Sequence, residues 1–232
     1  MFQISELKNS DANMNSKKSG LKIYPSMLSA NPQKFAEELL KIEKSGAEGI
    51  HWDIMDGNFV PAITFGASIV AAHRELTSLP FHVHLMIENP ERHIKNFAEA
   101  GADTIIIHPE SCKHLHRNLE DIKKLGKKAG VALNPATNLD CIEYCTDLLD
   151  VVLVMTVNPG ASGQKFIDSQ LSKIKKLRNI LPDSIEICID GGINPETAEK
   201  CAQCGADSVV SGAYVFKNSS YEDAIKKLRK PC

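Results

Sequence analysis

The sequence predicts an α/β fold, a single-domain (β/α)8 (TIM) barrel over residues 21–232. From Leu21 onward, eight short apolar runs alternate with eight amphipathic stretches, the pattern of serial strand–helix units with a parallel sheet. The similar segments SGAEGI, AGADTI and CGADSV each connect the end of a predicted helix to the start of the next strand. A chain of 232 residues suits such a barrel as one domain. An open doubly wound sheet is the alternative, but no GxGxxG follows the first strand.

The eight strands are predicted from runs rich in Val, Ile and Leu that end at Pro, Gly or polar residues. In chain order they cover 21–26, 48–54, 80–86, 103–109, 131–135, 150–160, 185–192 and 207–213. The helices between them begin with Asn-Pro at three places, an N-terminal cap signal, and several end at a glycine. They cover 31–47, 66–76, 89–102, 115–130, 138–146, 169–181, 194–206 and 220–230.

Composition narrows the function classes. The chain is 43% hydrophobic and 24% charged, with a formal net charge of −2 and mixed basic and acidic residues. This predicts a globular protein with no nucleic-acid or membrane partner, because no basic surface and no apolar run of about 20 residues occurs. Residues 1–20 are polar and lack a signal-peptide core, so we expect a flexible N-terminal extension.

The seven cysteines form an odd, scattered set, which favours a reducing cytoplasm over a secreted disulfide framework. Cys201 and Cys204 have CxxC spacing inside a helical pattern, with no second CxxC to complete a zinc site. We therefore expect packing thiols there.

Polar side chains close several of the predicted strands, at the end where barrel active sites lie. His51 and Asp53 are two apart and share one strand face, while Trp52 faces the helix layer. His84 ends the third strand and Asp190 the seventh. Any one of these side chains could be a separately satisfied core group, but buried charges are costly unless paired or bound to metal.

Two histidines and two aspartates make a mixed nitrogen and oxygen ligand set. Such a set suits one divalent ion among zinc, iron(II), manganese and cobalt, and the spacing alone leaves all four open. His82 lies one layer deeper on the same face as His84, and we expect a structural role for it. His108 ends the fourth strand and can hydrogen-bond around the site, and Asp56 is expected to shape a turn.

Three glycine-rich segments, NPGASGQKF, DGGIN and SGAYVF, follow the sixth, seventh and eighth strands. Glycine allows close approach of backbone N–H groups to an anion, and barrels often bind phosphate at these loops. Ordinary left-handed turns would explain one such loop. Three neighbouring loops favour a phosphate site.

These segments resemble ribulose-phosphate 3-epimerase. The motifs are YPSMLSA, HWDIMDGNFVPAITFG, HVHLMIENP, AGADTIIIHPE, VMTVNPGASGQKF and IDGGIN, in order from Leu21 onward. The resemblance implies an isomerase that interconverts ribulose 5-phosphate and xylulose 5-phosphate at C3, in the pentose phosphate pathway, through an enediolate. It also implies a small phosphosugar substrate and a homo-oligomer.

The resemblance assigns roles residue by residue. The implied metal ligands are His51, Asp53, His84 and Asp190, and Asp53 and Asp190 are the implied acid/base pair. The implied substrate and phosphate contacts are Ser26, His84, Gly160, Ala161, Ser162, Gly163, Asp190, Gly191, Gly192, Gly212 and Ala213. The implied methionine lining of the pocket is Met55, Met86 and Met155.

Two departures from the family pattern stand out. The phosphate loop reads Gly-Ala-Ser-Gly over 160–163 where the family usually has Gly-Phe-Gly-Gly, which predicts a less apolar lid with phosphate binding retained. Trp52 replaces a small aliphatic residue, and we expect a packing change only.

Three other functions compete. A 3-epimerase of a hexulose 6-phosphate, such as allulose 6-phosphate, would use the same residues. A non-catalytic metal- or phosphate-binding barrel predicts a broken acid/base position, yet both aspartates are present. A Schiff-base aldolase needs an interior Lys at a strand end, and none occurs.

Overall fold

The computed structural model describes residues 20–229 and forms one sheet of eight parallel strands. The strands are β1 Lys22–Pro25, β2 Ile50–Met55, β3 Phe81–Met86, β4 Thr104–Ile107, β5 Lys128–Leu133, β6 Val151–Met155, β7 Glu186–Asp190 and β8 Ser208–Ser211. Their order in the sheet is β1-β8-β7-β6-β5-β4-β3-β2. The two edge strands meet at one parallel bridge, between Ser26 and His51, which brings the sheet round into a barrel. The predicted fold class is confirmed.

Helices follow the strands around the outside. They are α1 Phe35–Glu43, α2 Ala67–Arg74, α3 Ile94–Glu99, α4 Leu115–Lys124, α5 Gln170–Ile180, α6 Pro195–Gln203, α7 Ala213–Phe216 and α8 Tyr221–Arg229. Asn194 caps α6 in a capping box with Thr197, as its Asn-Pro start predicted. The other two Asn-Pro segments begin 3-10 turns at Pro32 and Pro90, ahead of α1 and α3.

The structure departs from the sequence prediction at three elements. Helix α4 ends at Lys124 and is followed by Gly126 in the left-handed region at φ +71°, so β5 starts at Lys128 rather than at residue 131. The segment predicted as a helix over 138–146 is a 3-10 helix, Leu139–Cys145. The short helix α7, directly after β8, was not predicted, because four residues leave no helical periodicity to recognise.

Side chains alternate across each strand and fill two layers. The outward-facing side chains join the helices in one large core that includes Trp52, Val83 and Ile105. A second apolar cluster, including Ile106 and Leu153, fills the barrel interior. Both layers are close to fully buried, so the strand ends are held rigidly.

The predicted flexible extension, residues 1–20, lies outside the described residues except for Gly20. Across the described part of the chain, no helix is long and apolar enough to cross a membrane.

Candidate active site

Strand β2 carries the central residues of the site. His51, Asp53 and Met55 are buried on the inner face, and Trp52 is buried on the outer face. Trp52 packs edge-on against three phenylalanine rings, Phe35, Phe65 and Phe81, at centroid distances of 5.5–6.1 Å. The expected outward orientation of Trp52 is therefore confirmed.

Thr64 fixes the end of β2. Its hydroxyl donates to the Asp53 carbonyl oxygen at 2.7 Å and accepts from the Met55 N–H at 2.9 Å. The loop beyond is held by Asp56, whose carboxylate accepts the N–H groups of Asn58, Phe59 and Glu88. Asp56 thus shapes the turn, as predicted.

Strand register places the predicted site residues side by side. Asp53 pairs with His84 and Met55 with Met86 across β2 and β3. Met155 pairs with Asp190 across β6 and β7. Because parallel strands present their carboxyl ends at one edge, these side chains converge in the barrel mouth.

Asp53 lies at the centre of the cluster. Its Oδ1 is 3.3 Å from His51 Nε2 and 3.2 Å from His84 Nδ1. Its Oδ2 accepts a hydrogen bond from Ser26 Oγ at 2.5 Å. Asp190 Oδ2 faces the same two imidazole nitrogens, at 3.8 Å and 3.7 Å.

These four side chains could hold a metal ion, since one ligand atom from each lies within 4.8 Å of all the others. His51 Nε2 is buried and makes no hydrogen bond within the described residues. A buried ring nitrogen that faces the carboxylate oxygens of Asp53 and Asp190 without a hydrogen bond to either fits a metal ligand. The donor set of two imidazoles and two carboxylates suits a divalent first-row ion.

The surroundings of Asp53 and Asp190 shift the pKa values of the two carboxyl groups in opposite directions. Burial opposes ionisation of Asp53, but the adjacent His51 and His84 outweigh it and hold the pKa of Asp53 well below its usual range. Burial and the neighbouring Asp53 charge raise the pKa of Asp190 to about 7. In the metal-free protein near neutral pH, Asp53 is therefore ionised and Asp190 is poised to carry a proton.

The histidines respond in opposite directions. Burial alone would lower the pKa of His51, but attraction by Asp53 and Asp190 raises it. Burial, assisted by repulsion from His108, lowers the pKa of His84 to about 4. His84 is therefore neutral at pH 7, the form that a metal ligand requires.

A cavity of about 370 Å³ opens above this cluster. Of the predicted site residues, those that line it are Ser26, Asp53, Met55, Met86, Met155, Gly160, Ala161, Ser162, Gly163, Asp190, Gly191, Gly192, Gly212 and Ala213. His51 and His84 are fully buried and do not line the cavity. The structure thus brings every predicted site residue either to the cavity wall or to the layer directly beneath it.

The glycines at the cavity wall answer specific steric demands. Gly192 has φ +65°, and a Cβ there would come within 2.7 Å of the Phe166 backbone nitrogen. A Cβ on Gly212 would meet Ser29 Oγ at 2.4 Å. Gln164 Nε2 braces the glycine loop after β6 by donating to the carbonyl oxygens of Asn158 and Ala161, at 2.6 Å and 2.8 Å.

Comparison with known proteins shows the family of the chain. The model of the "Ribulose-phosphate 3 epimerase family" matches residues 22–216. The chain belongs to this family. The ribulose-phosphate 3-epimerase of Bacillus subtilis (strain 168) is 48% identical over 90% of this chain and 98% of its own length. The chloroplastic ribulose-5-phosphate-3-epimerase of Arabidopsis thaliana is 46% identical over 91% and 77%, and the Escherichia coli (strain K12) enzyme is 38% identical over 89% and 94%.

Solved structures at low identity share the fold. The tryptophan synthase A-subunit of Pyrococcus furiosus superposes with a TM-score of 0.67 at 16% identity, covering 92% of this chain and 98% of its own. The thiamine phosphate pyrophosphorylase of the same organism gives a TM-score of 0.64 at 18% identity, covering 92% and 96%.

Some residues that line the cavity were not predicted to do so. Tyr214, Lys217 and Asn218 reach the cavity from α7 and the residues after it. They follow the SGA segment directly, so their proximity to the third glycine loop was available from the sequence. Their direction was not, because it depends on the unpredicted turn of α7.

Two other histidines lie on the interior. His82 is buried one layer below His84, where it stacks on Tyr24 at 4.1 Å, and burial lowers its pKa to about 3. His108 is fully buried and contacts His84, with 2.8 Å between the two Nε2 atoms. The expected structural position of His82 and the expected hydrogen bond of His108 at the site are both observed.

Proposed function

We propose that this protein interconverts ribulose 5-phosphate and xylulose 5-phosphate by inverting the configuration at C3. The observation that carries this proposal is the convergence of Asp53 and Asp190 on one point beneath the cavity, from strands that β1 and β8 separate. Membership of the epimerase family and the names of the relatives support the same reaction.

The two carboxyl groups provide the base and the acid. Inversion beside a ketone removes the C3 proton on one face and returns a proton on the other. Asp53, whose lowered pKa keeps it ionised, accepts the proton in one direction, and Asp190 supplies one. In the reverse direction the two exchange roles. The proton-depleted sugar between these steps is an enediolate.

His51, Asp53, His84 and Asp190 would hold the divalent ion. When bound, such an ion supplies Lewis-acid stabilisation for the negative charge that develops on the sugar oxygens. We propose zinc, iron(II), manganese or cobalt, on the basis of the mixed imidazole and carboxylate donors.

The remaining cavity residues bind and shield the substrate. Met55, Met86 and Met155 are buried to 4% exposure or less around the carboxylates, and they keep water from the reacting carbon. Ser26, which bonds Asp53, lines the cavity beside the carboxylates, where we place the sugar hydroxyls. Gly160–Gly163, Gly191–Gly192 and Gly212–Ala213 line the same cavity, and there we place the phosphate. Backbone N–H groups and the Ser162 hydroxyl are the donors available there.

Kinetics on two substrates tests the assignment. We expect a higher kcat/KM for ribulose 5-phosphate than for allulose 6-phosphate, because the relatives are named for the pentulose reaction. A higher kcat/KM for allulose 6-phosphate would show that the hexulose is the substrate. The assignment of epimerisation at C3 would be unchanged.

We also propose a homo-oligomer that works in the cytoplasm. The family resemblance supports assembly. The free cysteines support a reducing compartment. Light scattering on the purified protein tests assembly, and a monomeric mass would contradict it.

A further inference from the structure

His108 and Glu110 lie behind the metal-ligand cluster, with His108 fully buried and Glu110 partly exposed. The His84 imidazole uses both nitrogens: Nδ1 faces Asp53 and Asp190, and Nε2 is 2.8 Å from His108 Nε2. His108 Nδ1 in turn lies 3.5 Å from Glu110 Oε2, too far for a good hydrogen bond, so the contact between them is electrostatic. The side chains thus form a line from the ligand cluster to Glu110, which is 30% exposed.

The contacts from His84 through His108 to Glu110 permit only certain positions of the imidazole protons. If His84 Nδ1 is a metal ligand, its lone pair points at the ion and its single proton is on Nε2. That proton is donated to His108 Nε2, so the proton of His108 is on Nδ1. The His108 N–H then points at the Glu110 carboxylate, which stabilises it. The reverse arrangement would place the His108 Nδ1 lone pair against the negative charge of Glu110.

His108 and Glu110 are each held in place by neighbouring side chains. The ring of Phe59 packs on His108 at a centroid distance of 4.8 Å, and the rings of His84 and His108 stack at 5.0 Å. Thr137 donates a hydrogen bond to Glu110 Oε1. His108 is fully buried, so water does not replace its contact with His84.

We propose that His108 and Glu110 are positioning residues that hold His84 as the Nε2–H tautomer, with the Nδ1 lone pair presented to the metal. The proposal deepens the proposed function and rests on it, because it requires His84 to be a metal ligand. Outer partners of this kind typically account for about 10- to 100-fold in metal affinity.

Zinc affinity of the full chain, measured by competition with a chelating dye, tests the proposal. His108→Phe removes the acceptor and keeps an aromatic ring against Phe59. His108→Gln keeps an acceptor oxygen. Glu110→Gln removes only the charge, at a partly exposed site where folding is not at risk. Glu143→Gln is the matched control, since Glu143 is exposed on the 3-10 helix Leu139–Cys145.

We expect His108→Phe to weaken zinc binding at least 10-fold, His108→Gln to remain within about 3-fold of the native protein, and Glu110→Gln to lose several-fold. Glu143→Gln should match the native protein. Native affinity in both His108→Phe and Glu110→Gln would overturn the proposal, as would equal losses in His108→Phe and His108→Gln. If His108→Phe does not fold, Glu110→Gln alone decides, and native affinity in that variant overturns the proposal.

The activity of the native protein separates the two proposals. Zinc binding with the expected ranking but without epimerase turnover would reject the proposed function and support the positioning role. Turnover together with unchanged affinity in the variants would support the function and overturn the positioning role. A native protein that binds no zinc would overturn the positioning role outright.

Discussion

Ser26 Oγ donates a 2.5 Å hydrogen bond to Asp53 Oδ2, and Ser26 is also the residue that bridges β1 to β2 through His51. Ser26 therefore closes the barrel through its backbone and contacts the candidate base, Asp53, through its hydroxyl group. Both side chains are at least 95% buried, so the hydrogen bond to a charged carboxylate is not exchanged for one to water.

Ser26→Ala should reduce kcat/KM for ribulose 5-phosphate by about 10- to 100-fold, which corresponds to about 1.5–3 kcal/mol for a hydrogen bond to a charged group. Steady-state kinetics measures the effect. Ser45→Ala is the control, because Ser45 is equally buried but bonds the Ile42 carbonyl oxygen away from the site. An unchanged kcat/KM in Ser26→Ala would show that the hydrogen bond has no part in turnover.

Asp190→Asn should lower kcat by at least about 10²- to 10⁴-fold, because it removes one of the two proton carriers. The fold should persist, as asparagine matches the shape of aspartate, and circular dichroism with thermal unfolding checks this. Asp183→Asn is the matched control at a side chain that is 90% exposed. Near-native turnover of Asp190→Asn would contradict the two-carboxylate mechanism.

Gly163→Ala and Gly126→Ala form a matched pair. Both glycines are in the left-handed region, at φ +77° and +71°, and an added Cβ meets nothing within 4 Å at either. Each substitution should therefore lower the free energy of unfolding by about 1–2 kcal/mol. Only Gly163→Ala should raise KM, because Gly163 lines the cavity, whereas Gly126 follows the end of α4 away from it. Equal KM values in the two variants would show that the loop containing Gly163 is not part of the phosphate site.

Glu186 predicts an acid dependence of stability. Burial opposes its ionisation, but hydrogen bonds from Lys22 at 2.7 Å and Ser208 at 2.6 Å outweigh burial and lower its pKa. A carboxyl group with a lowered folded-state pKa stabilises the fold above its unfolded pKa, about 4.3, and loses that contribution as the pH falls through the folded value.

Glu186→Gln should therefore flatten the fall in unfolding free energy between about pH 5 and pH 3, and it should be less stable than the native protein at pH 7. Urea unfolding at several pH values measures both. Glu143→Gln, at an exposed glutamate, should leave the native pH dependence unchanged. Parallel curves for Glu186→Gln and the native protein would be evidence against the lowered pKa.

Strand alternation and the repeating joints sufficed to predict the barrel, and they also predicted that His51, Asp53 and Met55 share a face. Convergence of those residues with His84 and Asp190 needed one further rule, that parallel strands end at one edge. Each of these inferences depends on local periodicity, which the sequence carries directly.

What the sequence could not supply depends on register and on loop direction. The contact between the His84 and His108 side chains depends on the register of β3 against β4, which no local sequence pattern predicts. Lys217 and Asn218 reach the cavity only because α7 turns the chain there. The early start of β5 was missed because Gly126 and Gly130 offered two equivalent helix ends.

Proton exchange at C3 tests the central claim most directly. Metal-loaded protein is incubated with ribulose 5-phosphate in deuterium oxide, and proton NMR follows the C3 position. A two-carboxylate mechanism predicts xylulose 5-phosphate that carries deuterium at C3, because the returning proton comes from a carboxyl group equilibrated with solvent. Xylulose 5-phosphate that retains the original proton, or no exchange and no product at all, would contradict it.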